Sequence, residues 1–153
     1  MIFTDWSYAI FLAVGWAGAR FLPIGSAALW MALTGAAFYA WHGGVWVWYF
    51  LAQALIARLY RPGSPWCLVG IFQALLVLGW TKYGAFIHEN LAGIAGWLPL
   101  PDAQVLPLGI SFFTFECVHF AYDTWKRKIG RTRNINYAAF ILFFPTVVSG
   151  PIK

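Results

Sequence analysis

Long apolar runs, broken at a few points, dominate the chain. Five of them cover residues 6–22, 24–41, 45–59, 66–87 and 106–125, and a sixth covers 137–149. A helix needs about 20 residues to cross roughly 30 Å of hydrocarbon. The fourth and fifth runs meet that length, while the first three are shorter and are expected to rely on aromatic flanks. The sixth would be only about 20 Å long as a helix, at 1.5 Å per residue. Pro145 inside it removes a backbone donor. A kinked, partly inserted or re-entrant piece, buried in protein rather than facing lipid, is expected there. The breaks are plain: Pro23 and Gly25, then Gly43 and Gly44, then "RPGSP" at 61–65. A longer loop, "NLAGIAGWLPLPDAQ" at 90–104, has room for a short interfacial helix, and "KRKIGRTRN" at 126–134 is a basic loop. The pattern predicts an all-α, polytopic membrane protein with about five transmembrane helices, one short kinked or re-entrant segment and no β-sheet.

Composition supports this. Of 153 residues, 61% are hydrophobic, 20% aromatic and 10% charged, where a soluble domain carries about a quarter charged residues. The net charge of +5 does not indicate nucleic acid, because the Lys and Arg residues sit at the ends of apolar runs and there set orientation. If the first five runs all span, Arg20, Arg58, Arg61 and the basic residues from Lys126 to Arg133 share one side. Asp5, Glu89 and Asp102 share the other. The positive-inside rule then predicts cytoplasmic basic loops and an extracytoplasmic N-terminus. Lys82 and Lys153 stand apart, and Lys82 is expected to snorkel to the outer interface. The start, "MIFTDWSYAIF", does not read as a cleaved signal. Cys67 and Cys117 lie in apolar surroundings with no CxxC, and read as inert thiols.

The stretch "FFTFECVHFAYDTWKRK" at 112–128 carries three ionisable groups, Glu116, His119 and Asp123, within membrane-grade sequence. Spacings of three and four put them on one helical face. Measured along the axis from the interfacial Trp125, Asp123 lies about 3 Å in, His119 about 9 Å and Glu116 about 13–14 Å. Charged groups at that depth are costly against lipid, so the stripe is expected to face protein or a water-filled cavity. Two readings stay open: a structural hydrogen-bond knot between helices, or a polar pathway opening to the cytoplasm. His119 can reach either carboxylate. ExxH is half of a di-iron carboxylate pattern, but the second ExxH and the further Glu ligands are missing, so no metal is expected. His42 and His88 read as helix-end residues.

"LPLGISFFTFECVHFAYDTWKRK", followed by "NINYAAFILFFPTVVSGPIK", resembles the membrane-bound O-acyltransferase family, in the bacterial branch of alginate O-acetyltransferases and D-alanyl transfer proteins. The signature residues are Pro107, Gly109, Phe112, Phe115, Asp123, Pro145, Gly150 and Pro151, with Asn136 between the two motifs. "FYAW" at 38–41 and "WTKYGAFIHENL" at 80–91 are weaker marks. Glu116 stands where many relatives have Gln and His119 where many have Ser, so only Asp123 of the stripe follows the common pattern.

The resemblance implies an enzyme moving an acyl group, acetyl first of all, from a cytoplasmic donor (acetyl-CoA or an acyl carrier) to hydroxyls of an extracytoplasmic polysaccharide. It implies no tightly bound cofactor. It implies as partners membrane lipid, the glycan and an accessory acyl-transfer protein. Family members run to several hundred residues, so residues 1–153 are expected to be the N-terminal part of one membrane-embedded domain. The catalytic histidine is expected beyond Lys153, leaving this part inactive alone. The contrasting reading is a small non-enzymatic membrane subunit using Glu116, His119 and Asp123 as a proton or ion relay.

Overall fold

Proline and glycine cut the chain into helices where the apolar runs break. The computed structural model describes residues 6–90 and 109–149, and every regular element among them is helical. Helix α1 (Trp6–Phe21) stops short of Pro23, whose fixed φ suits the start of α2 (Ile24–Gly43). A 3₁₀ turn over Gly44–Trp46 leads into α3 (Val47–Ile56), and a second, Ala57–Leu59, prolongs it. The RPGSP turn then gives way to α4 (Trp66–Asn90), 25 residues long. Helix α5 (Ile110–Trp125) begins behind Gly109, which sits in the left-handed region at φ 67°. A side chain there would crowd the next carbonyl, so glycine at the end of "LPLG" is a backbone requirement.

The sixth apolar run is two helices rather than one kinked piece. Helix α6 (Asn134–Ile141) ends before α7 (Phe144–Ser149), with the break at Leu142 and Phe143. Pro145 lies in the first turn of α7, where its missing N–H removes no intrahelical bond. The bend therefore falls just ahead of the proline, which starts a helix instead of interrupting one.

Helix α4 lies along α5, α2 packs on α1 and on α6, and α6 also meets α3. Tyr39, Phe50, Phe113, Cys117, Tyr137 and Ile141 form the middle of the core. Its rings are closely paired, with centroids 4.3 Å apart for Tyr39 and Phe50 and 4.2 Å for Phe50 and Phe113. Such tilted pairs add to the area they bury. On α2, Gly35 faces the Leu142 carbonyl so closely that a Cβ would overlap it.

The outside carries many large apolar side chains. Trp41, Trp48, Phe72 and Phe86 are between 65% and 75% exposed, a surface suited to lipid or to further protein rather than to water. Among the described residues one stretch, Trp66–Phe86 of α4, is long and apolar enough to cross a bilayer. Helices α1, α3 and α5 run 16, 10 and 16 residues. The all-helical expectation is thus met among the described residues, while length and apolar composition together single out one span there and do not establish the expected five. The loop at 91–104, Pro107, Gly150 and Pro151 lie outside the described residues.

Candidate functional site

Helix α5 is built around one buried stripe. Ile110, Phe113, Thr114, Cys117, Ala121 and Thr124 point into the bundle, at the spacing of an inward helical face. Phe112 and Phe115 point outward. Glu116 and Asp123 are half-buried beside the inward face. His119 lies on the outward face with Phe112 and Phe115, against the expectation that all three ionisable groups face protein or a cavity. The structure divides the three into two groups.

Asp123 and His119 belong to the loop end. Asp123 Oδ2 lies 3.1 Å from His119 Nε2, and its Oδ1 lies 3.2 Å from Lys128 Nζ. The Asp123 backbone carbonyl also accepts the N–H groups of Lys128 and Ile129, at 2.9 and 3.3 Å. Asp123 therefore ties the basic loop to the end of α5 through both side chain and main chain. His119 is 74% exposed and borders a hollow of about 310 Å³ with Phe120, Ile129, Thr132, Asn136, Tyr137 and Phe140.

Glu116, two turns further from the loop than Asp123, is half-buried and has its own surroundings. It borders a hollow of about 300 Å³ with Met31, Asn136, Ala139, Phe140, Phe143 and Thr146. Its Oε2 is shielded from solvent and has no hydrogen-bond partner. Thr146 stands beside the carboxyl, but its hydroxyl donates to the Phe143 carbonyl at 2.8 Å. Asn136 and Phe140 wall both hollows. The two hollows adjoin there, and they line the groove between α5 and α6 from the basic loop inward. A carboxyl, a carboxamide and a hydroxyl set among apolar walls can hold a small group bearing hydrogen-bond donors, at the lower end of ligand-site volumes.

The stripe is therefore not one linked network. His119 pairs with Asp123, and Glu116 faces a separate space. Reading the sequence singled out Asn136 as a family mark without a role, and it passed over Met31 and Thr146. Thr146 follows Pro145 within a quoted motif, but Met31 comes from α2 and nothing in its local sequence marks it.

A second polar feature lies in the core. Gln53 is fully buried and donates through Nε2 to Gln73 Oε1 at 2.6 Å, joining α3 to α4. His42 closes α2 quietly: its Nδ1 lies 3.2 Å from the Phe38 carbonyl and its ring packs on Phe38. Cys67 and Cys117 are buried free thiols. Among the described residues no group of three or more His, Cys, Asp or Glu could hold a metal.

The fold and this polar groove define an all-helical protein with the surface of a membrane component. Its sequence says more. It is 34% identical over 131 residues to a probable alginate O-acetylase, AlgI, of Pseudomonas putida, covering 75% of this chain and 27% of that protein. It is 35% identical over 97 residues to the probable alginate O-acetylase of Pseudomonas aeruginosa, covering 60% of this chain and 19% of that protein. A peptidoglycan O-acetyltransferase of Helicobacter pylori is 26% identical over 163 residues, covering 81% of this chain and 30% of that protein. No family model and no solved structure matches the chain. These relatives bear out the resemblance, and the chain belongs with the membrane-bound O-acyltransferases. It spans about a quarter of the length of the curated relatives it matches.

Proposed function

We propose that this chain forms part of a membrane-embedded O-acyltransferase that places acetyl groups on hydroxyls of an extracytoplasmic polysaccharide. The observation that carries this is the 34% identity to a probable alginate O-acetylase across 75% of the chain. The groove between α5 and α6 is compatible with it, since Glu116, Asn136 and Thr146 offer hydrogen-bonding groups in an otherwise apolar space. In this reading the chain makes about five crossings of the inner membrane, its N-terminus outside and the loop at 126–133 in the cytoplasm. The donor is an acetyl thioester arriving from the cytoplasm, and an accessory protein helps to pass the acyl group on.

The group that deprotonates the acceptor hydroxyl is proposed to lie in the three quarters of the enzyme that this chain does not span. What the chain contributes is wall: it excludes water and orients. The relay-subunit alternative finds less support, because Glu116 and His119 have no bond joining them and His119 is largely exposed.

The test is acetyl transfer by membranes holding the full-length protein and its neighbouring gene products, with labelled acetyl-CoA and alginate as acceptor. Label in alkali-labile esters on the glycan is the expected result. Acetyl transfer to none of alginate, peptidoglycan or another bacterial polysaccharide would overturn the proposal.

A further inference from the structure

Away from the Glu116 hollow, α3 and α6 leave a second groove of about 300 Å³ between them. Its inner wall is apolar, from Leu51 and Ala54 on α3 and from Ile135 and Ala138 on α6. The two alanines give it depth. One end is polar, closed by Arg58 and Asn134. Seven residues separate Leu51 from Arg58, about 10 Å along the axis, so the groove grades from hydrocarbon to cation over that distance.

The cation is unanswered. Among the described residues Asp123 is engaged by His119 and Lys128, and no carboxylate pairs with Arg58. Glu116, on α5, borders a different face of α6, beside Asn136, Ala139 and Phe140. Arg131 and Arg133 are exposed nearby in sequence to Asn134 and add to the positive field. An exposed guanidinium presents paired N–H donors that match a phosphate bidentately. The groove opens to an outside that is itself apolar, Leu55 being 57% exposed and Trp48 71%. Basic pockets between membrane helices on the cytoplasmic side bind anionic lipid headgroups.

We propose that this groove is a site for one anionic phospholipid. The phosphate sits against Arg58 with the Asn134 amide beside it, and the upper part of an acyl chain lies along Leu51, Ala54 and Ala138. A free phosphate would use the cation but leave the apolar slot empty, and a zwitterionic lipid would use the slot but bring its own positive charge to Arg58. The proposal rests on the membrane reading of the chain, and the experiment separates the two.

Full-length protein in detergent is mixed with equal amounts of phosphatidylglycerol and phosphatidylcholine carrying the same chains. Bound lipid is then read by native mass spectrometry. Phosphatidylglycerol is expected to be retained preferentially. Arg58→Gln should reduce that preference about fivefold, the factor expected of one basic side chain near a membrane surface. Ala138→Leu should fill the slot and weaken retention of the lipid while Arg58 stays in place, and Lys82→Gln should leave the preference as it was. Equal retention of both lipids, a preference unmoved by Arg58→Gln in a monodisperse variant, or displacement of the lipid by millimolar inorganic phosphate would each overturn the site. Protein released from membranes by alkaline washing would instead strike the membrane reading, whereas firmly embedded protein without lipid preference would strike this site alone.

Discussion

Arg127 holds a backbone conformation that L-residues avoid, with φ at 61°. It closes α5: the N–H of Lys128 reaches the Asp123 carbonyl and that of Arg127 reaches the Thr124 carbonyl, at 2.9 and 3.0 Å. This is the Schellman arrangement with arginine where glycine is usual. Arg127→Gly should stabilise the protein by about 1 kcal/mol, the lower bound for an L-residue held left-handed. Thermal unfolding in detergent checks this, and a lower stability would mean that the Arg127 guanidinium against Gly63 outweighs the strain. The turn also explains a limit of sequence reading. Asp123 stood out through the motif, but its partner Lys128 did not, because a five-residue separation brings side chains together only if the chain reverses between them. Lys128 is 66% exposed, so Lys128→Ala should cost no more than about 1 kcal/mol, as exposed ion pairs do, and the loss should shrink in high salt. Glu116→Gln is expected to be tolerated, since Gln still fills the hollow and still offers an acceptor oxygen. The check is acetyl transfer by the full-length variant beside its monodispersity. A well-folded variant losing about 10²–10⁴-fold, the range for a general acid or base, would show that an exchangeable proton is required there.

Helices α3 and α4 are joined by a bond that no local pattern announces. Gln53 and Gln73 stand 20 positions apart, each inside an apolar run where periodicity marks only which residues are hydrophobic. Gln53→Ala leaves the Gln73 carboxamide without its partner beside the core and should cost about 1–3 kcal/mol, the desolvation of an unpaired polar group. Replacing both by Leu should be close to neutral by the same reasoning, and denaturation of the single and double variants separates the two outcomes. The end of the chain was legible in part. Its apolar content and Pro145 foretold a broken segment. The break itself lies at Leu142 and Phe143, where α6 ends against α2, and that contact is tertiary. Prolines mark where a helix can start as readily as where one fails, and sequence alone does not choose.

The membrane character of the whole molecule was legible because it is a sum over many side chains: few charges, many aromatics and basic residues gathered at the ends of runs. The count of spans was less so. The apolar runs suggested about five, while the helices formed by the first five runs are of uneven length, from 10 residues in α3 to 25 in α4. Short helices cross only with help from flanking residues or from neighbours that cover their ends, which depends on packing. The proposed topology makes a direct prediction. In a background without native cysteines, Asp102→Cys and Gly130→Cys should react with an impermeant thiol reagent from opposite sides of the membrane. Equal labelling from one side would refute the five-crossing arrangement.

The contact between Gly35 and the Leu142 carbonyl acts at a distance from where it is made. Met31, one turn back along α2, and Phe143, one residue beyond Leu142, both border the Glu116 hollow. The separation of the two backbones at Gly35 therefore works as a calliper for that hollow, set by a hydrogen atom. A methyl at this point would open the calliper, and overpacking of this kind costs typically about 1–3 kcal/mol. The room beside Glu116 would widen without any residue of its own wall being altered. In the proposed enzyme, a full-length Gly35→Ala variant that admits a larger ligand beside Glu116 would place the gauge of that hollow on a glycine outside it.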